Sequence, residues 1–331
     1  MNSSLPSLPS FPEATVETVR AAQRRLHGHL HRTPVHRARS LDAIAQAEVY
    51  LKCENFQRSG SFKARGAFNT VLSLDDPTAA RGVAAHSSGN HGAALALAAR
   101  ERGIKATIVV PTTCARAKLD AIRRYGGELV FTEPTIQARE AAVAHLVAES
   151  GAVLVHPYDH PAVISGQATA ALELTEDQKD LDLILTPISG GGLLGGTLLA
   201  VEAGGRPVRV YGVEPAGADD AARSLASGEL QGNVTTNTIA DGLRGALSAR
   251  TFGLIRPRVA GIVTVTEPEI IAAMRLIWEI FKLIIEPSCA VPVAALLNGR
   301  IPDAAGRKVG IIITGGNVDL GELPWRQVRQ P

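Results

Sequence analysis

Ser59-Gly60-Ser61-Phe62-Lys63-Ala64-Arg65-Gly66-Ala67 sets a lysine among small and apolar residues, in a chain with only seven lysines. An amine used as a nucleophile must give up its proton. Desolvation lowers its pKa and frees it to form a Schiff base. The same letters also fit a plain helix start, with a serine cap and Lys63 turned to water. What lies on either side decides between the two.

From residue 47 the chain alternates. Strand-like, β-branched runs lie at 49–51, 83–85, 107–110, 129–131, 153–155, 183–185, 208–213, 262–265 and 309–313. Between most of them lie alanine-rich segments of helical length, such as 92–102, 115–125, 136–149 and 163–176. An apolar stripe through Val16, Val19, Ala22 and Leu26 adds a first helix starting near Pro12-Glu13. Strands alternating with helices predict an α/β protein of mainly parallel sheets flanked by helices. Continuous apolar strands fit sheets covered on both faces.

Composition narrows the class. With 331 residues, 45% hydrophobic and 20% charged, the chain has room for one large domain or two of medium size. A net charge of +2 and 4% aromatics give neither a basic field nor stacking platforms, which argues against a nucleic-acid partner. Cys53, Cys114 and Cys289 are far apart and odd in number, which fits a reducing, cytoplasmic setting and no disulfide framework. The serine- and proline-rich segment 1–12 reads as a flexible tail, not a signal peptide. No apolar run reaches membrane length; 276–285 is broken by Glu279 and Lys282. His27, His29, His31 and His36 have no acidic or cysteine ligand nearby and read as surface or helix-end residues.

In parallel sheets, ligands sit beyond the C-terminal ends of strands. The unusual residues fall at those places. Ser189-Gly190-Gly191-Gly192-Leu193 precedes an apolar helical segment, so converging N–H groups and the helix dipole could hold a phosphate. It lacks the lysine and Ser/Thr of a P-loop, and close helix–sheet packing also explains such glycines. Ser87-Ser88-Gly89-Asn90-His91-Gly92 is a polar loop that suits a ligand or an ordinary helix cap. Ser88 and His91 do not make a hydrolase pair, because the nucleophile-elbow pattern is absent. Glu214-Pro215-Ala216-Gly217-Ala218-Asp219-Asp220 could bind a hard cation through oxygen, or carry acids that favour a helix N-terminus.

Taken jointly with His156-Pro157-Tyr158-Asp159, Ala240-Asp241-Gly242, Glu286-Pro287 and Thr314-Gly315-Gly316-Asn317-Val318-Asp319, these stretches resemble the serine/threonine dehydratase and serine racemase family. Its members are pyridoxal-phosphate enzymes of fold type II, the tryptophan-synthase-β-like fold. The segments span nearly the whole chain in the family's order.

The resemblance implies roles. Lys63 would form the internal aldimine with pyridoxal 5'-phosphate, Phe62 would pack beside its ring, and Asn90 would bond its phenolic oxygen. Ser189, Gly190, Gly191, Gly192 and Leu193 would cradle the phosphate. The Ser189 hydroxyl, where many relatives have glycine, could add a contact. Glu286 and Thr314 would line the ring, with Thr314 at the pyridine nitrogen, where a neutral hydroxyl favours elimination over transamination. Ser87, Ser88, Asn90 and His91 would hold the substrate carboxylate. Lys63 would take the Cα proton as general base. Ser88 matches a serine that returns a proton to the opposite face in the family's racemases. Arg139 matches an arginine that reaches a second carboxylate, which adds 3-hydroxyaspartate to serine and threonine as candidate substrates. Glu214, the Ala218 carbonyl and Asp220 match a divalent-cation site for magnesium, manganese or calcium.

Tyr158 stands where mammalian racemases have asparagine, and Gly245 replaces a pocket serine; both lean toward a dehydratase. The chain ends too soon for the regulatory domain of biosynthetic threonine deaminases, so isoleucine feedback through it is not expected. The expectation is a homodimeric hydroxy-amino-acid ammonia lyase. Residues 13–81 and 159–323 would form a large cofactor-binding domain, and 82–158 a small mobile domain inserted in it, whose closure excludes water. An amino acid racemase, or a non-catalytic amino-acid sensor on the same fold, are the alternatives.

Overall fold

The computed structural model describes residues 11–87 and 89–326. The strands are β1 (Val35–His36), β2 (Glu48–Cys53), β3 (Val83–Ala85), β4 (Ala106–Pro111), β5 (Glu128–Thr132), β6 (Val153–Leu154), β7 (Leu183–Pro187), β8 (Arg209–Pro215), β9 (Gly261–Val265) and β10 (Lys308–Ile313). One sheet runs β1-β2-β10-β7-β8-β9 and is parallel except for the β1-β2 pair. The other runs β5-β4-β3-β6 and is parallel throughout. This is the α/β class with mainly parallel sheets that the alternation predicts.

Every residue of β3 and of β7 is buried, which is why these strands read as unbroken apolar runs instead of alternating. One expectation needs correction, and one strand was not expected. The first helix begins at Val16, not near Pro12, because Thr15 caps it: the Thr15 and Thr18 hydroxyls accept each other's backbone N–H in a capping box. β1 has no counterpart among the sequence runs, since two residues are too few to show any period.

The described chain packs as two compact units: residues up to Leu30 with Lys63–Gly166, and His31–Phe62 with the residues from Gln167 on. The first holds the four-stranded sheet, with Phe68, Leu95, Ile108 and Ile122 in its core. The second holds the six-stranded sheet, with Val49, Leu185, Val213, Ile277 and Ile311 in its core. Within the first unit the helix Lys63–Ser73 packs on the helix Asn90–Arg102.

Candidate active site

The turn that leads into Lys63 is built from two left-handed residues, Ser59 (φ 61°) and Gly60 (φ 75°). Non-glycine residues adopt this conformation at a cost, so neighbouring structure must hold it. The segment after β10 does so. Gly316 N–H donates to Gly60 O at 3.0 Å, Asn317 Nδ2 donates to Ser59 O at 2.9 Å, and Phe62 N–H donates to Thr314 O at 2.9 Å. Ser61 forms an antiparallel bridge with Gly315. The backbone just ahead of Lys63 is thus clamped to the Thr314 segment.

Around that clamp the backbone comes close. A Cβ on Gly315 would lie 2.9 Å from Glu286 Oε1 and 3.0 Å from Ser61 Cβ, and one on Gly242 would lie 2.9 Å from Ser288 Oγ. The Ser61 and Ser288 hydroxyls are buried without a hydrogen-bond partner. Such groups cost free energy unless something polar meets them. Thr314 is buried, and Glu286, the residue at the N-cap position of the helix Pro287–Leu297, donates its N–H to Gly315 O at 3.1 Å.

After β7 come Ser189, Gly190 and Gly191, and the 13-residue helix Gly192–Gly204 begins. Gly191 has φ 85°, and a Cβ there would press Leu247, Thr251 and Ile255 at 2.7–2.9 Å. Only glycine fits, and the turn leaves the first N–H groups of a long helix pointing outward. The Ser189 hydroxyl meets Gly245 instead: it donates to the Gly245 carbonyl at 3.1 Å and accepts the Gly245 N–H at 3.0 Å. What Ser189 has left for a phosphate is its backbone N–H. Leu193 is buried in the first turn of the helix.

In the other unit, the ends of β3 and β6 carry a second group of polar side chains. Lys63 Nζ donates to Pro157 O at 2.9 Å. His91 Nε2 donates to Val155 O at 2.8 Å, which leaves its buried Nδ1 with a bare lone pair. Burial, and then the positive charge of Lys63, push the His91 pKa down to about 3, so the ring is neutral at working pH. The His86 and His156 rings meet edge to face at 5.6 Å, and His156 meets Tyr158 at 4.6 Å. His156 Nδ1 accepts the Asp159 N–H at 2.9 Å. Burial and then the Arg139 charge lower the His86 pKa, so Arg139 belongs to this electrostatic neighbourhood. Its Nε donates to Thr135 O at 3.3 Å. Asn90 opens the helix Asn90–Arg102, and Gly92 is required because a Cβ would strike Ser87 O at 2.1 Å. Ser88 lies outside the described residues.

Glu214, at the end of β8, and Asp220 are fully buried carboxylates. Glu214 accepts N–H bonds from Ala221 at 3.1 Å and Ala222 at 2.8 Å; Asp220 Oδ2 accepts the Leu247 N–H at 2.9 Å, while its Oδ1 has no partner. Burial is the first cause that raises Glu214 to about 8 and Asp220 to about 6, and neighbouring acids add to it. Two buried carboxylates held apart from any cation resist ionisation. No group of three or more His, Cys, Asp or Glu side chains suited to a metal occurs among the described residues, so such a site needs the Ala218 carbonyl and water as well.

The motif reading missed His86, although it ends a strand as the neighbouring Ser87 does. It also missed the Cys289 thiol beside Thr314. No sequence signal marks a contact between side chains 25 positions apart.

Comparison with known proteins assigns the class. The family model described as "Pyridoxal-phosphate dependent enzyme" matches residues 26–315, and the chain belongs to that family. Within it, the chain is 44% identical over 319 residues to serine racemase of Oryza sativa subsp. indica, covering 95% of this chain and 94% of that one. It is 45% identical over 312 residues to beta-hydroxyaspartate dehydratase of Paracoccus denitrificans, covering 94% and 98%. The crystal structure of serine racemase from Dictyostelium discoideum superposes with a TM-score of 0.89 at 44% identity, covering 93% of this chain and 99% of that one.

The residues fit the family's cofactor. A lysine follows the clamped turn, a left-handed glycine precedes the long helix Gly192–Gly204, and the buried, partnerless Ser61 and Ser288 hydroxyls belong to side chains that lie close against Gly315 and Gly242.

Proposed function

We propose that this chain is an ammonia lyase that converts a β-hydroxy amino acid, namely serine, threonine or 3-hydroxyaspartate, into a 2-oxo acid and ammonia. Pyridoxal phosphate, when bound, supplies the electron sink that makes loss of the Cα proton possible. Lys63 Nζ would hold the cofactor and then take that proton. Phe62, Asn90, Glu286 and Thr314 would line the ring, and the N–H groups of Ser189, Gly190, Gly191, Gly192 and Leu193 would bind the phosphate. Ser87, Ser88, Asn90 and His91 would hold the substrate carboxylate, with Arg139 toward a second one. The observation that carries the reading is the Lys63 amine held at 2.9 Å from a backbone carbonyl beside a neutral His91. An acceptor fixes the amine, and a neutral imidazole adds no charge that would compete with it.

The test is direct. The purified protein should be yellow and should release keto acid from at least one of the three substrates. Lys63→Ala should lose that activity by a factor of about 10³ or more with all of them, the size expected when a covalent and acid–base group is removed. An active Lys63→Ala protein would sink the mechanism.

A racemase is the second reading, favoured by the likeness to serine racemases. Chiral analysis of the amino acid after incubation with L-serine separates the two. A colourless protein that releases no keto acid would point to an amino-acid sensor. The raised carboxylates Glu214 and Asp220, with the Ala218 carbonyl, support a divalent cation such as magnesium, manganese or calcium. Exposed Phe56 and Ile284 support a homodimer, which light scattering tests. No disulfide joins Cys53, Cys114 or Cys289, as in a cytoplasmic protein, and cell fractionation tests that placement. Mobility of residues 82–158 belongs to the same proposal; hydrogen exchange with and without substrate reads it.

A further inference from the structure

Cys289 lies in the first turn of the helix Pro287–Leu297, and its sulfur meets three polar atoms of one short segment. The Gly315 N–H donates to Sγ at 3.0 Å, the Gly315 carbonyl oxygen lies at 2.9 Å, and Thr314 Oγ1 lies at 3.2 Å. A thiol has one proton, and a carbonyl oxygen can only accept. While S–H points to Gly315 O, the Thr314 contact must run from Oγ1–H to sulfur. The threonine oxygen then turns its lone pairs outward. When S–H swings to Thr314 Oγ1, the hydroxyl proton is released and Thr314 becomes a donor. The threonine backbone does not move in either case, because Phe62 N–H holds its carbonyl at 2.9 Å. Burial, with the Glu286 charge adding to it, raises the thiol pKa, so the sulfur keeps the proton this exchange needs.

We propose that the Cys289 thiol sets whether the Thr314 hydroxyl donates or accepts, and thereby tunes the protonation of the cofactor ring nitrogen that Thr314 would face. Cys289 is then a positioning residue for the elimination, acting through Thr314. This rests on the role given to Thr314 above. A packing role alone would ask only for a small apolar side chain, and alanine would serve.

The experiment uses the holoenzyme with Cys289→Ala, Cys289→Ser, Thr314→Val and the Cys289→Ala/Thr314→Val double variant. It reads the absorption of the bound cofactor against pH, cofactor affinity by titration, and kcat and KM separately. Cys289→Ala should move the pH midpoint of the cofactor band and lower kcat about fivefold to tenfold, the worth of one buried hydrogen bond, with KM little changed. Cys289→Ser, which keeps a donor and an acceptor, should restore most of both. Adding Thr314→Val should abolish any further effect of Cys289→Ala, since coupled residues are not additive. In cofactor-free protein, wild type, Cys289→Ala, Thr314→Val and the double variant should show non-additive unfolding free energies, which reads the contact itself should one holoenzyme variant load poorly. A Cys289→Ala spectrum and kcat equal to wild type, or strict additivity, overturns the proposal while the wild type stays yellow. A wild type that takes up no cofactor instead overturns the functional reading, and this proposal with it.

Discussion

At the scale of single residues, the site depends on backbone conformations that few side chains tolerate. Gly60 sits at φ 75°, and a Cβ there would fall 2.4 Å from Asn317 Oδ1. Gly60→Ala therefore costs ~1–2 kcal/mol for the left-handed conformation. It also displaces the carboxamide whose Nδ2 holds Ser59 O at 2.9 Å. We expect a lower melting temperature and a cofactor occupancy that falls more than the stability does, because the loosened turn is the one that delivers Lys63. Thermal unfolding and the cofactor absorbance measure the two; a Gly60→Ala protein with wild-type occupancy would show that the clamp does not matter. Lys63 itself was legible, because a lysine in a run of small residues is rare in a chain of seven lysines. Its acceptor was not: Pro157 lies 94 positions away and offers only a carbonyl, which every residue has.

At the scale of elements, periodicity carried the reading. The nine runs singled out as strands all fall within strands or at their ends. Buried parallel strands announce themselves as apolar runs bounded by loops. β1 had no such signature, since Val35–His36 is recruited by pairing with Leu51 and Lys52 and not by its own pattern. The glycine turn before the helix Gly192–Gly204 was legible as a turn, and its phosphate role is the proposal above; the reason for Gly191 was not legible, because a Cβ there would press Leu247, Thr251 and Ile255, side chains from a distant segment. Gly191→Ala should thus fail twice. It meets the left-handed penalty of ~1–2 kcal/mol and an overpacking cost of ~1–3 kcal/mol. The first N–H groups of the helix should also turn away from the phosphate. Titration with pyridoxal phosphate, set beside titration with pyridoxal, tests this. The variant should lose affinity for the phosphorylated form and little for the other. Equal losses would place the phosphate elsewhere.

At the scale of the whole molecule, buried ionisable groups in the two units set opposite pH limits. His91 is held neutral, with its pKa lowered from 6.5 to about 3, and His86 shifts in the same direction. Below pH 6.5 the unfolded chain takes up protons that the fold excludes, so stability is lost as the pH falls through that window. Glu214 and Asp220 are raised, to about 8 and about 6. Their fold binds protons more tightly than the unfolded chain does. Their contribution is therefore full below the ordinary carboxylate range and is lost as the pH rises toward 8. A cation reverses the second limit only, because it binds the ionised pair and releases their protons. With chelator, the melting temperature should peak near the middle of the range and fall on both sides. With magnesium or manganese, the fall above pH 6 should flatten, and the gain from the cation should grow with pH up to about 8. The acid limb should be the same in both series. Glu214→Gln should remove the cation's effect and leave the acid limb intact, while His91→Asn should soften the acid limb alone. A cation gain that does not depend on pH, or that survives Glu214→Gln, would mean that the metal binds elsewhere and that these two carboxylates are merely buried.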